Sequence, residues 1–142
     1  MSLFSVFNIA GSALNAQTIR LNTTASNLAN SESVDGDASK VYRARHPVFQ
    51  TMMDSPDASS ADPDGAVAGV RVLGVVQSTT EPLKRYDPNN PVADKDGYVY
   101  MSNVNAIEEM TNMISANRSF ATNVEAINTA RDLLLKTIAM GH

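Results

Sequence analysis

The helix-breaking residues of this 142-residue chain are concentrated in its middle. All 6 prolines and five of the 7 glycines lie between residues 32 and 103, whereas Gly11 and Gly141 lie near the two ends. Because proline and glycine both disfavour a helix interior, this distribution predicts a helix at each end of the chain. We therefore predict an N-terminal helix over residues 1–31, a β-rich and loop-rich middle segment over 32–103, and a C-terminal helix over 104–142.

Apolar residues of the N-terminal segment follow alternating spacings of four and three. This is the heptad pattern of a helix that packs along one face against other helices. The polar Gln17 and Thr24 occupy the two skipped places of this N-terminal seam. The apolar members of the seam are Leu3, Phe7, Ala10, Leu14, Leu21 and Leu28.

The C-terminal segment carries a second seam with the same spacing. Its polar members, Asn117 and Arg131, cost stability but can fix the register of packed helices. Asn105 is placed to cap the helix at its start, and Gly141 follows its last apolar turn. The members of this C-terminal seam are Ala106, Met110, Met113, Asn117, Phe120, Val124, Ile127, Arg131, Leu134 and Ile138.

Together the two seams predict an α+β fold. Its long helices pack as an antiparallel, coiled-coil-like pair, and a small β-rich insert lies between them in sequence. In the insert, residues 40–50 are predicted to be extended because Pro47 forbids a helix there. The β-branched residues 67–76 predict a strand pair or one bent strand, and residues 98–101 predict a short strand. The Ser-, Ala- and Asp-rich run 54–64 predicts an exposed loop.

Charge is almost absent from the N-terminal segment, where Arg20 is the one charged side chain between residues 1 and 31. A helix with one face in water normally carries Lys and Glu on that face. This helix instead carries Asn8, Asn15 and Asn22, spaced by seven residues along one side. Uncharged amides can be buried with hydrogen bonds at a lower cost than ions, so the pattern favours burial among helices of other chains.

Several classes of function are disfavoured by the composition. The net charge of −4 argues against a nucleic-acid partner, and the absence of cysteine excludes thiolate metal sites. No apolar run is long enough for direct membrane insertion, and the first 19 residues lack the charged start of a secretory signal. The two histidines, His46 and His142, have no second ligand at metal spacing, and we predict neither a cofactor nor a catalytic site.

A basic group in the middle segment is open to two interpretations. It contains Lys40, Arg43, Arg45 and His46. The simpler interpretation is a solvated strand face. The alternative is that these side chains form ion pairs with an acidic patch on a neighbouring subunit.

Several motifs of the chain are similar to those of the flagellar axial proteins, which build the rod and the hook. The run Ala25–Asn30, preceded by Arg20-Leu21, resembles the N-terminal motif of this whole class. The runs 103–105, 108–110, 112–120, 123–125 and 128–130 resemble the rod proteins in particular. In the middle segment, residues 47–49, 69–72, 86–88 and 96–99 also match. The resemblance covers nearly the whole chain.

The resemblance implies a structural subunit of the proximal rod, the drive shaft of the flagellar basal body, and not an enzyme. It implies export in unfolded form through the flagellar type III apparatus, without a cleaved signal, to a rod that crosses the periplasm. The implied partners are other copies of the chain, other proximal and distal rod proteins, and the adaptor that joins the rod to the MS ring. The alternatives are another axial protein of the rod or hook, or a helical export adaptor or chaperone.

Both terminal helices are then expected to form the assembly interface, the wall of the export channel. In the N-terminal helix the predicted interface residues are Leu3, Phe7, Ala10, Leu14, Arg20, Leu21, Asn27, Leu28 and Asn30. In the C-terminal helix they are Met110, Met113, Asn117, Phe120, Val124, Ile127, Arg131, Leu134 and Ile138.

Overall fold

The computed structural model describes residues 3–52 and 69–140, and the side chains of the first range from residue 5 onward. The side chain of Leu3, the loop 54–64, the start of the strand segment 67–76 and Gly141 lie outside the described residues. The elements in chain order are α1 (Leu3–Ala29), β1 (Val34–Asp35), β2 (Arg45–Met52), β3 (Gly69–Gln77), β4 (Leu83–Tyr86), β5 (Tyr98–Met101) and α2 (Ala106–Met140). The predicted α+β fold, with two long helices and a small β-rich insert between them, is confirmed.

Side-chain caps define where the helices end in the middle of the chain. The side-chain amide of Asn30 donates at 2.8 Å to the Ser26 carbonyl, which also accepts from the Asn30 backbone N–H at 3.2 Å, so both donors of Asn30 bind the last turn of α1. At the start of α2, Asn105 Oδ1 accepts from the backbone N–H groups of Ile107 at 3.1 Å and Glu108 at 3.4 Å. The predicted Asn105 cap is therefore present, and Glu108 and Glu109 complement the positive end of the helix dipole.

The strands form one three-stranded sheet and one two-stranded sheet. In the first, β5 lies between β1 and β4 and is antiparallel to both, so that Tyr100 is opposite Asp35 on one side and Lys84 on the other. Val99, in the middle of this central strand, is completely buried. The second sheet pairs β2 with β3. The strand predicted at residues 98–101 is β5, whereas β1 and β4 were not predicted.

The chain forms two compact units, and each unit contains parts of both helices. The first unit comprises Met1–Ile19, Val48–Gly74 and Ala116–His142. Its buried apolar side chains are small alanines, which allow helix backbones to approach closely. Ser12 attaches β3 to α1 in this unit, because its Oγ accepts from the Val70 N–H at 3.1 Å. Those alanines are Ala10, Ala16, Ala116 and Ala130.

The second unit comprises Arg20–Pro47 and Val75–Ser115. Its interior is more polar than that of the first unit, since buried hydroxyl, amide and carboxyl groups lie there beside buried valines. Such groups are stable in an interior only when hydrogen bonds replace those to water. The buried residues are Thr23, Thr24, Asn27, Val41, Ala44, Val99, Ser102 and Glu109.

Candidate assembly surfaces

Asn27 connects the end of α1 to the chain that leads into β2, within the second unit. Its side chain is 1% exposed. Its Oδ1 accepts from the Tyr42 hydroxyl at 2.9 Å and from the Arg45 backbone N–H at 2.9 Å. Its Nδ2 donates to the Arg45 carbonyl at 2.8 Å. The residue predicted to lie at an assembly interface therefore holds the subunit's own fold together.

Arg20, the single charge of α1, is used inside the second unit. Its Nη2 donates to Oδ1 of Asn112 on α2 at 3.1 Å, and the side chain is half-buried. The remaining exposed positions of α1 therefore present no charge. Asn8, Asn15 and Asn22 are all exposed, as expected for residues beside the seam.

The described members of the N-terminal interface set are covered to different degrees within the single chain. Ala10 and Asn27 are buried. The other members are half-buried, so each retains some surface that another chain could cover; they are Phe7, Leu14, Arg20, Leu21, Leu28 and Asn30. Which of them contact another subunit stays a prediction.

The C-terminal interface set divides into two groups. One group is half-buried within its own unit and consists of Met113, Phe120, Val124, Ile127 and Leu134. The other group is exposed and consists of Met110, Asn117, Arg131 and Ile138. The proposed register role of Asn117 and Arg131 therefore depends on contacts with another chain, and it stays a prediction.

The structure also exposes apolar residues of α2 that the heptad pattern missed. In the second unit these are Ile107, which is 77% exposed, and Ile114. In the first unit they are Leu133, Leu135 and Met140, of which Met140 is 79% exposed. The run Leu133–Leu135 could have predicted exposed apolar residues outside the seam. Successive helix residues point about 100° apart, so a single seam can cover only one of these three leucines.

An open, mainly apolar groove lies within the first unit. It has a volume of about 680 Å³ and is lined by Val6 of α1 and by residues of α2 that include Ala126, Ala130 and Leu133. Grooves of this shape suit the side chains of a packed helix. The groove and the exposed leucines of α2 give this unit an unpartnered apolar surface.

The basic group is only partly brought together. Lys40, Arg43 and Arg45 line one polar cavity of the second unit, whereas His46 is exposed on β2 and does not line it. Nearby, Asp37 Oδ1 accepts from the backbone N–H and the hydroxyl of Ser39 at 2.8 and 2.7 Å. These hydrogen bonds stabilise the carboxylate and lower the pKa of Asp37 below its usual value.

The described residues contain no group of three or more His, Cys, Asp or Glu side chains that could hold a metal ion. Across the same part of the chain, no helix is long and apolar enough to cross a membrane. What the described residues offer is an uncharged exposed surface on α1 and large apolar side chains exposed on α2, and such surfaces suit protein–protein contact.

Comparison with known proteins agrees with this description. The family described as flagella basal body rod protein matches residues 7–36, and the family described as flagellar basal body rod FlgEFG protein C-terminal matches residues 95–140. The flagellar basal-body rod protein FlgC of Escherichia coli O6:H1 is 46% identical over 141 residues, which is 99% of each chain. FlgC of Salmonella typhimurium is 45% identical over the same share of both chains, and FlgC of Buchnera aphidicola subsp. Schizaphis graminum is 39% identical over 99% of each.

A long N-terminal helix with an uncharged exposed surface and a long C-terminal helix with exposed apolar side chains, together with these matches, define an axial structural protein of the bacterial flagellum. Within that class the chain belongs to the FlgC family of basal-body rod proteins. It is a structural subunit of the proximal rod, located in the flagellar basal body, and the predicted resemblance is confirmed.

Proposed function

We propose that this protein polymerises through α1 and α2 into the wall of the proximal rod, where it transmits torque and helps to line the export channel. The observation that carries the proposal is that α2 exposes large apolar side chains near its start (Ile107, Met110 and Ile114) and near its end (Leu133, Leu135, Ile138 and Met140). Covering such side chains is worth about 25 cal/mol for each Å² of apolar surface removed from water. A second helix, rather than solvent, is the environment that they suit.

The exposed side of α1 supports the same proposal because its residues are polar but uncharged. Asn8, Asn15 and Asn22 can exchange their hydrogen bonds with water for hydrogen bonds to a neighbouring chain. No ion has to be desolvated when this side of the helix is covered. An export adaptor or chaperone would instead need charges there to remain soluble, so the lack of charge favours the polymer subunit.

The finer parts of the proposal concern partners, compartment and activity. The subunit contacts further copies of itself, other proximal and distal rod proteins and the adaptor that joins the rod to the MS ring. It reaches the periplasm through the flagellar type III apparatus with its N-terminus uncleaved, and it has no enzymatic activity. Its similarity to basal-body rod proteins supports a rod component, and the almost uncharged N-terminal helix agrees with this route of export.

The proposal is tested by placing a charge on the exposed part of α2. Ile138→Asp adds a carboxylate at an exposed seam position, so we expect the purified variant to keep its helix content but to be absent from isolated basal bodies. Circular dichroism measures the first property, and immunoblots of basal bodies together with swimming assays measure the second. Asn89→Asp adds the same charge in an exposed turn and serves as the matched control.

The two variants separate assembly from folding. We expect Asn89→Asp to swim and to enter basal bodies as the unmodified protein does. Normal swimming by Ile138→Asp would show that this end of α2 does not contact another subunit.

A further inference from the structure

A polar cavity of about 410 Å³ lies within the second unit, beyond the C-terminal end of α1. Three of its lining residues are cationic, namely Lys40, Arg43 and Arg45, and one is a carboxylate, Asp35. The cavity therefore carries an excess of positive charge in a chain whose net charge is −4.

The two arginines of this cavity have no carboxylate of their own among the described residues. Across the described residues, the ion pairs join Lys40 to Asp37, at 4.0 Å, and Arg85 to Asp87, at 3.4 Å. Neither pair includes Arg43 or Arg45. The guanidinium carbon of Arg45 lies 5.4 Å from the centre of the Tyr42 ring, a cation–π contact that leaves its N–H groups available.

The two serine hydroxyls of the cavity are already engaged. The hydroxyl of Ser33 donates to the Asn30 carbonyl at 2.8 Å, and the hydroxyl of Ser39 donates to Asp37 at 2.7 Å. The guanidinium donors of Arg43 and Arg45 therefore remain for a ligand of the cavity. Guanidinium groups bind carboxylates with paired, charge-assisted hydrogen bonds, so a carboxylate is the ligand that these donors fit.

We infer that this cavity receives a carboxylate side chain from a second copy of the chain in the assembled rod. The inference rests on the proposed function, because it names one contact between subunits of the same polymer. The chain itself supplies the complementary charge: outside the cavity, eight Lys and Arg residues stand against 14 Asp and Glu residues, since Asp35 lines the cavity. Copies that repeat along a polymer bring an acidic surface of one subunit against the cationic cavity of the next.

Zero-length cross-linking of isolated basal bodies tests this contact directly. A carbodiimide joins a lysine amine to a carboxylate that is already within ion-pair distance, with loss of one water. We expect a dimer band in which mass spectrometry finds Lys40 joined to an Asp or Glu of another copy. Lys40→Arg keeps the charge but removes the amine, so it abolishes this band. Lys95→Arg, the same change at an exposed turn outside the cavity, leaves the band unchanged.

A second pair of variants tests the arginines. Replacing both Arg43 and Arg45 with Gln should lower the yield of the Lys40 dimer several-fold. Arg71→Gln, a single charge loss at an exposed position of β3 outside the cavity, should not change it. An unchanged yield in the double variant would overturn the role of the cavity.

The remaining outcomes are equally distinct. Products that join Lys40 only to Asp35 or Asp37 of the same chain would overturn the inference, as would products with another protein or with a cell-wall peptide. In each of these cases the chain would still be present in the basal bodies, so the proposed function would stand. Absence of the chain from basal bodies would instead overturn the proposed function, and this inference with it.

Discussion

Asn27 shows what one residue of the Ala25–Asn30 motif does in the folded subunit. An asparagine amide offers both acceptor and donor atoms, and here the Tyr42 hydroxyl and both backbone polar groups of Arg45 use them. The residues closest in shape do not carry this combination, since aspartate lacks the donor and leucine lacks both. The motif therefore specifies how the chain turns from α1 toward β2.

Asn27→Ala is expected to lower the free energy of unfolding by about 2–3 kcal/mol, because it removes a buried amide, leaves the Arg45 backbone N–H and carbonyl without its hydrogen bonds, and leaves the Tyr42 hydroxyl with Ser26 Oγ alone, at 3.2 Å. Urea denaturation of the purified protein, followed by circular dichroism, measures the change. Asn22→Ala replaces an exposed asparagine of the same helix and should change stability by less than about 0.5 kcal/mol. Equal effects of the two variants would contradict the role of Asn27.

At the scale of elements, the sequence predicted those whose signal is local. The helices were found because their apolar spacing repeats over many turns, and β5 was found because Tyr98–Met101 is rich in β-forming residues after a turn. The strand β1 was missed because two residues carry too little pattern, and β4 was missed because Leu83, Lys84 and Arg85 are not among the β-branched and aromatic residues that favour strands. These strands exist because β5 lies between them and provides hydrogen-bonding partners from distant parts of the chain.

Within α2, Leu134 and Leu135 are neighbours with different surroundings, so variants of the two residues can distinguish an effect on folding from an effect on assembly. Leu134 is half-buried, so Leu134→Asp should lower the stability of the isolated subunit by about 2 kcal/mol or more and abolish swimming. Leu135 is exposed, so Leu135→Asp should keep the melting temperature of the subunit but reduce its incorporation into basal bodies. Thermal melts and basal-body immunoblots of both variants measure these effects. A fully stable Leu134→Asp variant would contradict the assignment of the C-terminal seam.

At the scale of the whole molecule, the sequence predicted that the helices provide assembly surfaces, but it did not predict which side chains those surfaces expose. The scarcity of charge on α1 pointed to assembly surfaces, because charge is a property of the sequence itself. The half-buried and exposed members of the C-terminal seam largely follow its two alternating positions, since Phe120 belongs to the position that is half-buried and Ile138 to the one that is exposed. The spacing alone did not predict which of the two positions the subunit itself covers. Likewise, the gathering of Lys40, Arg43 and Arg45 at one cavity depends on how the chain turns after α1.

The exposed apolar surface of α2, set against the small net charge of −4, predicts how the purified protein responds to salt. Sulfate strengthens apolar association, so sodium sulfate should drive the protein from monomer to oligomers. Sedimentation velocity measures the shift. Replacing Ile107 and Ile114 with Ser should raise the sulfate concentration needed, whereas Thr111→Ser, on the same exposed part of α2, should not. If the Ile107→Ser, Ile114→Ser variant associates as readily as the unmodified protein, these two side chains are not part of the surface that brings subunits together.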